Sequence, residues 1–413
     1  MKTYPESVRF LYSLGNEVKT IKPGLERISA LLEALGHPER AMRHIHVAGT
    51  NGKGSTCAMI EAALRVAGRR TGLYTSPHLV EPTERIQVGG KQVTREQFTW
   101  AFQKVHQVAM QMEDHSTYFE TVTAMGFLLF RELGVEIAVV EVGMGGRLDA
   151  TNVITPVLSV VTPVDFDHET WLGKSLRAIA GEKAGILKPG VPAVIAPQKA
   201  EAQERLRESI AGPVEWVSDW ETREVELHRW GSRFVAARGE RAIRVECNLA
   251  GEHQVTNALT AVAALEAFGV DAAGIGEAKW PGRLERVARD PDIIVDGAHN
   301  PAGVRALAAY IRRFFGDRRV WLIYATMRDK SVDEIGDLLS PVASEIILTQ
   351  VDSARALRPE ALRELFDHPR VRTSAGLKQA LEMARGEASR EDVIFITGSL
   401  FLVGEALGPA SCA

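Results

Sequence analysis

The chain has 413 residues, more than a single hydrophobic core usually serves at roughly 150 residues per domain, so two domains are expected. An apolar fraction of 45% and a charged fraction of 25% describe an ordinary globular protein, and a formal net charge of -4 gives no broad positive field for nucleic acid or an anionic membrane. The three cysteines, Cys57, Cys247 and Cys412, lack metal-ligand spacing, which argues against a disulfide framework or a zinc cluster, and neither a secretion leader nor a membrane span is expected. A cytoplasmic monomer is expected.

After an N-terminal helical stretch holding Leu25 to Leu35, helix-like segments alternate with short apolar runs at His44 to Ala48, Gly72 to Thr75, Ile137 to Val142 and Val157 to Val161. Such runs predict parallel strands covered by helices on both faces, with ligands at their carboxyl ends. From Val214 to Val245 the pattern shifts to VEWV, REVELH, RFVAAR and AIRVE, which predicts a small antiparallel patch appended to the first domain. A helix from His253 to Phe268 follows, then the break Trp280-Pro-Gly-Arg283 and a second alternation carrying DIIVD, VWLIYA, EIILT and DVIFIT. The predicted fold is α/β: a P-loop-type, mostly parallel ATPase domain at 1–287 with the antiparallel patch, and a smaller Rossmann-like α/β domain at 288–413.

Chemistry concentrates where strands end. His46-Val-Ala-Gly-Thr-Asn-Gly-Lys-Gly-Ser55 sets a glycine-rich turn and Lys53 between a strand and a helix, a place for a nucleotide phosphate held by backbone N–H groups and the helix N-terminus. It departs from G-x-x-x-x-G-K-[ST], because Gly54 separates Lys53 from Ser55. Tyr74-Thr-Ser-Pro-His78 brings hydroxyls to a neighbouring strand end, able to ligate magnesium or bind phosphate, though alone it reads as a Ser-Pro turn. Glu141 closes an apolar strand ahead of Gly143, Gly145 and Gly146, where an ionised carboxylate needs a cation and magnesium fits a Walker-B-like role. Asp165-Phe-Asp-His168 adds His168 as a candidate second-metal ligand, and Lys183 lies among small residues where a lysine near a metal can lose its proton and form a carbamate. In the second domain Asp296 and His299 precede Asn300-Pro301, which alone reads as a helix cap.

Taken in order, HVAGTNGKGS, YTSPHL, ERIQV, EVGMGGRLDATN, DHETWLG, EKAGILK, HQVTNA, PGRLE, DGAHNP and TGSLFLVGE make the chain similar, over nearly its whole length, to the folylpolyglutamate synthase/dihydrofolate synthase family within the Mur ligase superfamily of ATP-dependent amide ligases. The resemblance implies ATP phosphates held by Asn51, Gly52, Lys53, Gly54 and Ser55, with further ATP contacts from Asn257, Arg283 and Asp296. It implies magnesium at two sites through Ser76, Glu141 and His168, carbamylation of Lys183, and catalytic roles for Lys53, Lys183 and His299, the last beside the transferring phosphate or the incoming amino acid. The pterin side of the substrate is implied to meet Leu25, Arg27, Thr117, Phe119, Glu120, Arg147 and Asp149. Substrates would be dihydropteroate, folates and L-glutamate, joined through an acyl phosphate.

Arg147-Leu148-Asp149 and the TYFE segment resemble forms that accept dihydropteroate, so a bifunctional enzyme is expected, with a monofunctional folylpolyglutamate synthase as the alternative. A cell-wall Mur ligase would carry a UDP-binding domain ahead of the phosphate loop, and here that loop begins by residue 49. A nucleotide-binding protein without chemistry would have no need of Lys53, Glu141, His168 and Lys183 together.

Overall fold

The computed structural model describes residues 2–15, 24–328, 332–353 and 355–408. Cys412 lies outside them. By contact the chain divides into two compact units: Met1–Glu224, Phe234–Glu246 and Thr256–Ala278 form the first, and Val225–Arg233, Cys247–Val255 and Lys279–Ala413 the second. Among the described residues no helix is long and apolar enough to cross a membrane.

The first unit is built on strands β1 (Arg43–Ala48), β2 (Thr71–Tyr74), β3 (Ile86–Val88), β4 (Lys91–Gln92), β5 (Ile137–Glu141), β6 (Leu158–Val161), β7 (Ala193–Ile195) and β8 (Val214–Trp216), arranged β4-β3-β2-β5-β1-β6-β7-β8. β1 lies between β5 and β6 and pairs in parallel with both, and β5 pairs in parallel with β2. Only the β2–β3–β4 edge is antiparallel. Every residue of β5 and β6 is buried, which is why these strands read as unbroken apolar runs.

The helix Tyr118–Glu132 contributes Val122, Phe127, Leu128 and Phe130 to a core shared with Tyr74, Ala138 and Val140. Gly72 in β2 leaves room for this cover, since a Cβ there would fall 2.9 Å from the Phe130 ring.

Two expectations need correction. The VEWV run does not belong to the antiparallel patch: Val214–Trp216 pairs in parallel with β7 and closes the large sheet as an edge strand. The patch itself is a three-stranded sheet of β9 (Glu221–His228), β10 (Gly231–Arg238) and β11 (Arg241–Cys247), in the order β11-β10-β9, and its residues are shared between the two units.

The second unit carries β12 (Glu285–Ala288), β13 (Asp292–Val295), β14 (Val320–Tyr324), β15 (Glu345–Leu348), β16 (Val371–Thr373) and β17 (Val393–Thr397) in the order β12-β13-β17-β14-β15-β16. All its pairings are parallel except β12 with β13. Residues 287 and 288 thus fall inside the first strand of this sheet. Tyr310, Phe315 and Phe395 pack edge-on or tilted against one another within its core.

Phe130 is fully buried, and Phe130→Ala leaves a cavity against β2 that is expected to destabilise the first unit by about 3–5 kcal/mol. Urea unfolding followed by circular dichroism measures this; a loss below about 1 kcal/mol would show that the ring does not hold helix to sheet.

Candidate functional site

The phosphate loop follows β1 and is held from below. The N–H groups of Thr50 and Asn51 reach the carbonyl of Pro163 at 3.0 and 3.3 Å, while Thr50 Oγ1 donates to the carbonyl of Asp165 and accepts its N–H. Gly49 adopts φ +147 and a Cβ there would fall 1.8 Å from Thr162 Oγ1, so only glycine fits. Gly52, at φ +86, precedes the helix Lys53–Val66, whose first residues include the buried Gly54 and Ser55. The extra Gly54 is therefore helical, and Lys53 opens the first turn. Asn257 lies across from this turn, its Oδ1 2.2 Å from where a Cβ on Gly52 would be.

Polar and charged groups follow the ends of four adjacent strands, in the sheet order β2, β5, β1, β6. Glu141 ends β5 with a side chain only 5% exposed; its Oε2 accepts the N–H of Ser76 at 3.2 Å and its Oε1 lies 4.0 Å from Lys53 Nζ. Lys183, at the end of the helix Leu176–Lys183, is buried and donates from Nζ to the carbonyl of Gly49 at 2.8 Å. Burial, with the neighbouring Lys53 ammonium, brings its pKa down to about 7. An amine in that range is neutral for much of the time near neutral pH.

His168 follows β6 in a left-handed conformation at φ 52, at the start of the helix Glu169–Leu172, with its Nε2 3.9 Å from Asp167 Oδ1. The structure thus puts Ser76 directly on Glu141 and sets His168 on the same sheet edge beside Asp167. Among the described residues no three His, Cys, Asp or Glu side chains converge as a metal cluster. The buried Glu141 carboxylate and the serine at position 76 are oxygen donors of the chemical type magnesium takes, an ion that keeps waters and few protein ligands.

Three of the residues assigned to the pterin side, Arg27, Thr117 and Glu120, hold one another. Arg27 Nε lies 3.2 Å from Glu120, whose Oε2 also accepts the N–H of Thr117 at 2.7 Å in a capping box for the helix Tyr118–Glu132. Leu25 precedes the helix Glu26–Ala34 and packs on the same core. Phe119 lies against Gly143, where a Cβ would come 2.5 Å from its ring, and Arg147 pairs with Glu182 at 2.8 Å. Asp149 is buried, which raises its pKa against the opposing effect of hydrogen bonds from Thr151 and the N–H of Met144.

Sequence reasoning passed over Tyr12, His78 and Arg85. Arg85 Nε donates to His78 Nδ1 at 2.8 Å, His78 Nε2 meets the Tyr12 hydroxyl at 3.1 Å, and Tyr12 stacks on Tyr118 with centroids 6.0 Å apart. His78 lay inside a motif already singled out; nothing in the sequence marked Tyr12.

In the second unit Asp296 binds the N–H groups of Leu284 and Ala298 at 3.0 and 2.9 Å. A Cβ on Gly297 would come 1.9 Å from Arg283 Nη1, and His299 Nδ1 meets the Gly297 carbonyl at 2.8 Å. Arg283, Asp296 and His299 are therefore one cluster. Asn300 caps the helix Pro301–Phe315 through the N–H of Gly303 at 2.9 Å, as the Asn-Pro spacing implied.

Residues 47–265 match the Mur ligase middle domain and residues 282–400 the Mur ligase glutamate ligase domain. The chain is 37% identical to the dihydrofolate synthase/folylpolyglutamate synthase of Mycobacterium tuberculosis, covering 94% of this chain and 90% of that one. It is 33% identical to the folylpolyglutamate synthase of Lacticaseibacillus casei, covering 97% and 96%. Among solved structures, Mycobacterium tuberculosis folylpolyglutamate synthase complexed with ADP superposes with a TM-score of 0.91 at 36% identity, covering 98% of this chain and 97% of that chain. Escherichia coli FolC in complex with DHPP and ADP gives 0.89 at 29% identity, covering 98% of each.

Two glycine variants separate loop geometry from general strain. Gly52→Ala sets a Cβ onto Asn257 and is expected to weaken ATP binding at least about tenfold, whereas Gly68→Ala, at φ +78 with nothing within 4 Å, is expected to lower stability by about 1–2 kcal/mol with unchanged ATP affinity. Calorimetric titration with ATP and thermal melts read both; equal ATP affinity in the two variants would refute the role given to Gly52.

Proposed function

The chain belongs to the folylpolyglutamate synthase/dihydrofolate synthase family within the Mur ligases, and on that premise we propose that it joins L-glutamate to dihydropteroate and to the glutamate tails of folates at the expense of ATP. The observation that carries this reading is the convergence of Lys53, Lys183 and the buried Glu141 on one phosphate loop.

In the first step a carboxylate oxygen of the acceptor attacks the γ-phosphorus of ATP, the bond to the bridging oxygen breaks, and ADP leaves an acyl phosphate. In the second the amine of L-glutamate attacks the acyl carbon, the bond to phosphate breaks, and the amine gives up a proton as the amide forms. Negative charge accumulates on the transferring phosphoryl group, and the Lys53 ammonium with the N–H groups at the start of the helix Lys53–Val66 is placed to offset it. Asn51, Gly52, Gly54, Ser55 and Asn257 complete the proposed ATP contacts of the first unit, and Arg283 and Asp296 those of the second. His299 is assigned to the side of the incoming amino acid.

Ser76, Glu141 and His168 would hold magnesium, at two sites counting a Lys183 carbamate, and the ion when bound neutralises phosphate charge. The carbamate forms when the neutral Lys183 amine adds to carbon dioxide, making an N–C bond and releasing a proton. Its depressed pKa supports this chemistry, because an ammonium has no lone pair to offer. On the acceptor side we assign Leu25, Arg27, Thr117, Phe119, Glu120, Arg147 and Asp149 to the pterin portion of the substrate.

Purified protein with ATP, magnesium, dihydropteroate and L-glutamate is expected to release phosphate and form dihydrofolate; neither product appearing refutes the synthase activity. Tetrahydrofolate in place of dihydropteroate is expected to gain mass in glutamate steps, and dihydrofolate formation without such steps, or steps without dihydrofolate formation, shows one activity alone.

Lys183→Ala is expected to abolish turnover, with partial restoration by added short carboxylates. In the unaltered protein, activity in carbon dioxide-depleted buffer is expected to fall, and to recover when dissolved carbon dioxide is restored to one fixed concentration at each pH, faster above pH 7 than below it, because the Lys183 amine is neutral above its pKa of about 7. Full activity of the alanine variant refutes the carbamate.

A further inference from the structure

A buried polar chain leads to Asp149 from His46 through Thr151, and the proposed chemistry gives its first two members no task. His46, in the central strand β1, is fully buried, and its Nε2 lies 2.8 Å from Thr151 Oγ1. Thr151 Oγ1 in turn donates to Asp149 Oδ1. A hydroxyl has one proton to give, so Thr151 must accept from His46, and the imidazole is the Nε2–H tautomer. The other ring nitrogen agrees: His46 Nδ1 is buried without a hydrogen-bond partner, as an unprotonated nitrogen can be. Burial, then His44 and Lys188, bring this imidazole down to about 3, so it stays neutral.

At the far end the Asp149 carboxylate is engaged on both oxygens. Oδ1 also accepts the N–H of Thr151 at 3.0 Å, and Oδ2 accepts that of Met144 at 2.9 Å. These bonds close the segment that begins at Gly143, against which Phe119 packs, and that carries Arg147.

We propose that His46 is a positioning residue for the acceptor: through Thr151 it orients the Asp149 carboxylate, and through Asp149 it holds residues 143–149 in the shape that receives the pterin portion of dihydropteroate. The inference rests on the acceptor-side reading of this segment given above. A histidine that merely filled space in β1 could be exchanged for leucine with no selective effect on one substrate. A donor at the head of a hydrogen-bonded chain cannot, because the Thr151 hydroxyl would lose the N–H it accepts and be held by Asp149 alone.

The test compares His46→Leu, His46→Gln, Thr151→Val and Asp149→Ala by thermal melt and by kcat and KM for dihydropteroate and for ATP. His46→Leu and Thr151→Val are expected to raise KM for dihydropteroate about tenfold with KM for ATP within about twofold of the unaltered protein. His46→Gln, whose Nε2 amide stands where the imidazole Nε2–H was, is expected to restore KM to within about twofold. The double variant His46→Leu/Thr151→Val is expected to be no worse than either single change, since both cut one chain. An unchanged KM for dihydropteroate in Thr151→Val, a parallel rise in both KM values, or no rescue by glutamine overturns the proposal. Should His46→Leu fail to fold, Thr151→Val carries the decision. Asp149→Ala keeps the two readings apart: an unchanged KM there removes the acceptor-side assignment, whereas a raised KM with unaffected His46 and Thr151 variants removes only the positioning role.

Discussion

Lys183 reaches across 134 residues of chain to donate a hydrogen bond to the carbonyl of Gly49, in an interior where its side chain scarcely meets water. Where a loop turns some of its N–H groups toward a ligand, the carbonyls behind them face into the protein and need donors. Lys183 supplies one, and the Thr50 and Asn51 N–H groups are themselves anchored on Pro163. The loop's shape therefore depends on the segment after β6 and on a helix still further along the chain, not on its own glycines alone. That dependence runs both ways, because burial against the loop, together with Lys53, is what depresses the Lys183 pKa.

Sheet order explains how such distant residues meet. β2, β5, β1 and β6 are consecutive neighbours, and the parallel pairing brings all four carboxyl ends to one edge. Ser76, Glu141, the phosphate loop and His168 each follow one of these ends. Ligands in open α/β sheets bind at that edge, where strand ends stop pairing and loops begin. Glu141 can be buried there because Ser76 and Lys53 approach it from the strand on one side and the loop on the other; taking away either would leave a carboxylate in a dry place with less compensation.

How much of this the sequence disclosed follows from what makes a pattern visible. Strands covered on both faces appear as apolar runs, so β1, β2, β5 and β6 and four strands of the second sheet were legible to within a residue or two at their ends. Val214–Trp216 was misread because an edge strand is only partly covered, and its exposed and half-buried residues resemble the alternation of an antiparallel hairpin. The helix Tyr4–Ser13 has a capping box and a proline start but was passed over, since few of its residues are buried. Lys53, Glu141 and Ser76 were legible because glycine and hydroxyl residues punctuate the strand ends. The Lys183–Gly49 bond and the His46–Thr151–Asp149 chain were not, since each joins segments more than one hundred residues apart and no local spacing encodes them.

The two sides of the first unit's site differ in electrostatic balance, and that difference supports the division of substrates proposed for them. On the acceptor side Arg27 is matched by Glu120 and Asp114, Arg147 by Glu182, and the Asp149 carboxylate by N–H and hydroxyl donors. The same side carries aromatic rings, with Tyr12 stacked on Tyr118 and Phe119 against Tyr74. Charges matched internally gain nothing from a charged ligand and lose little to a neutral one, so a heteroaromatic ring suits this wall. At the phosphate loop, by contrast, Lys53 lies 4.0 Å from Glu141 and Lys183 donates to the Gly49 carbonyl, together with a helix N-terminus. A triphosphate completes that balance where a neutral ring would leave it open, and the transferring phosphoryl group is where charge builds during the reaction.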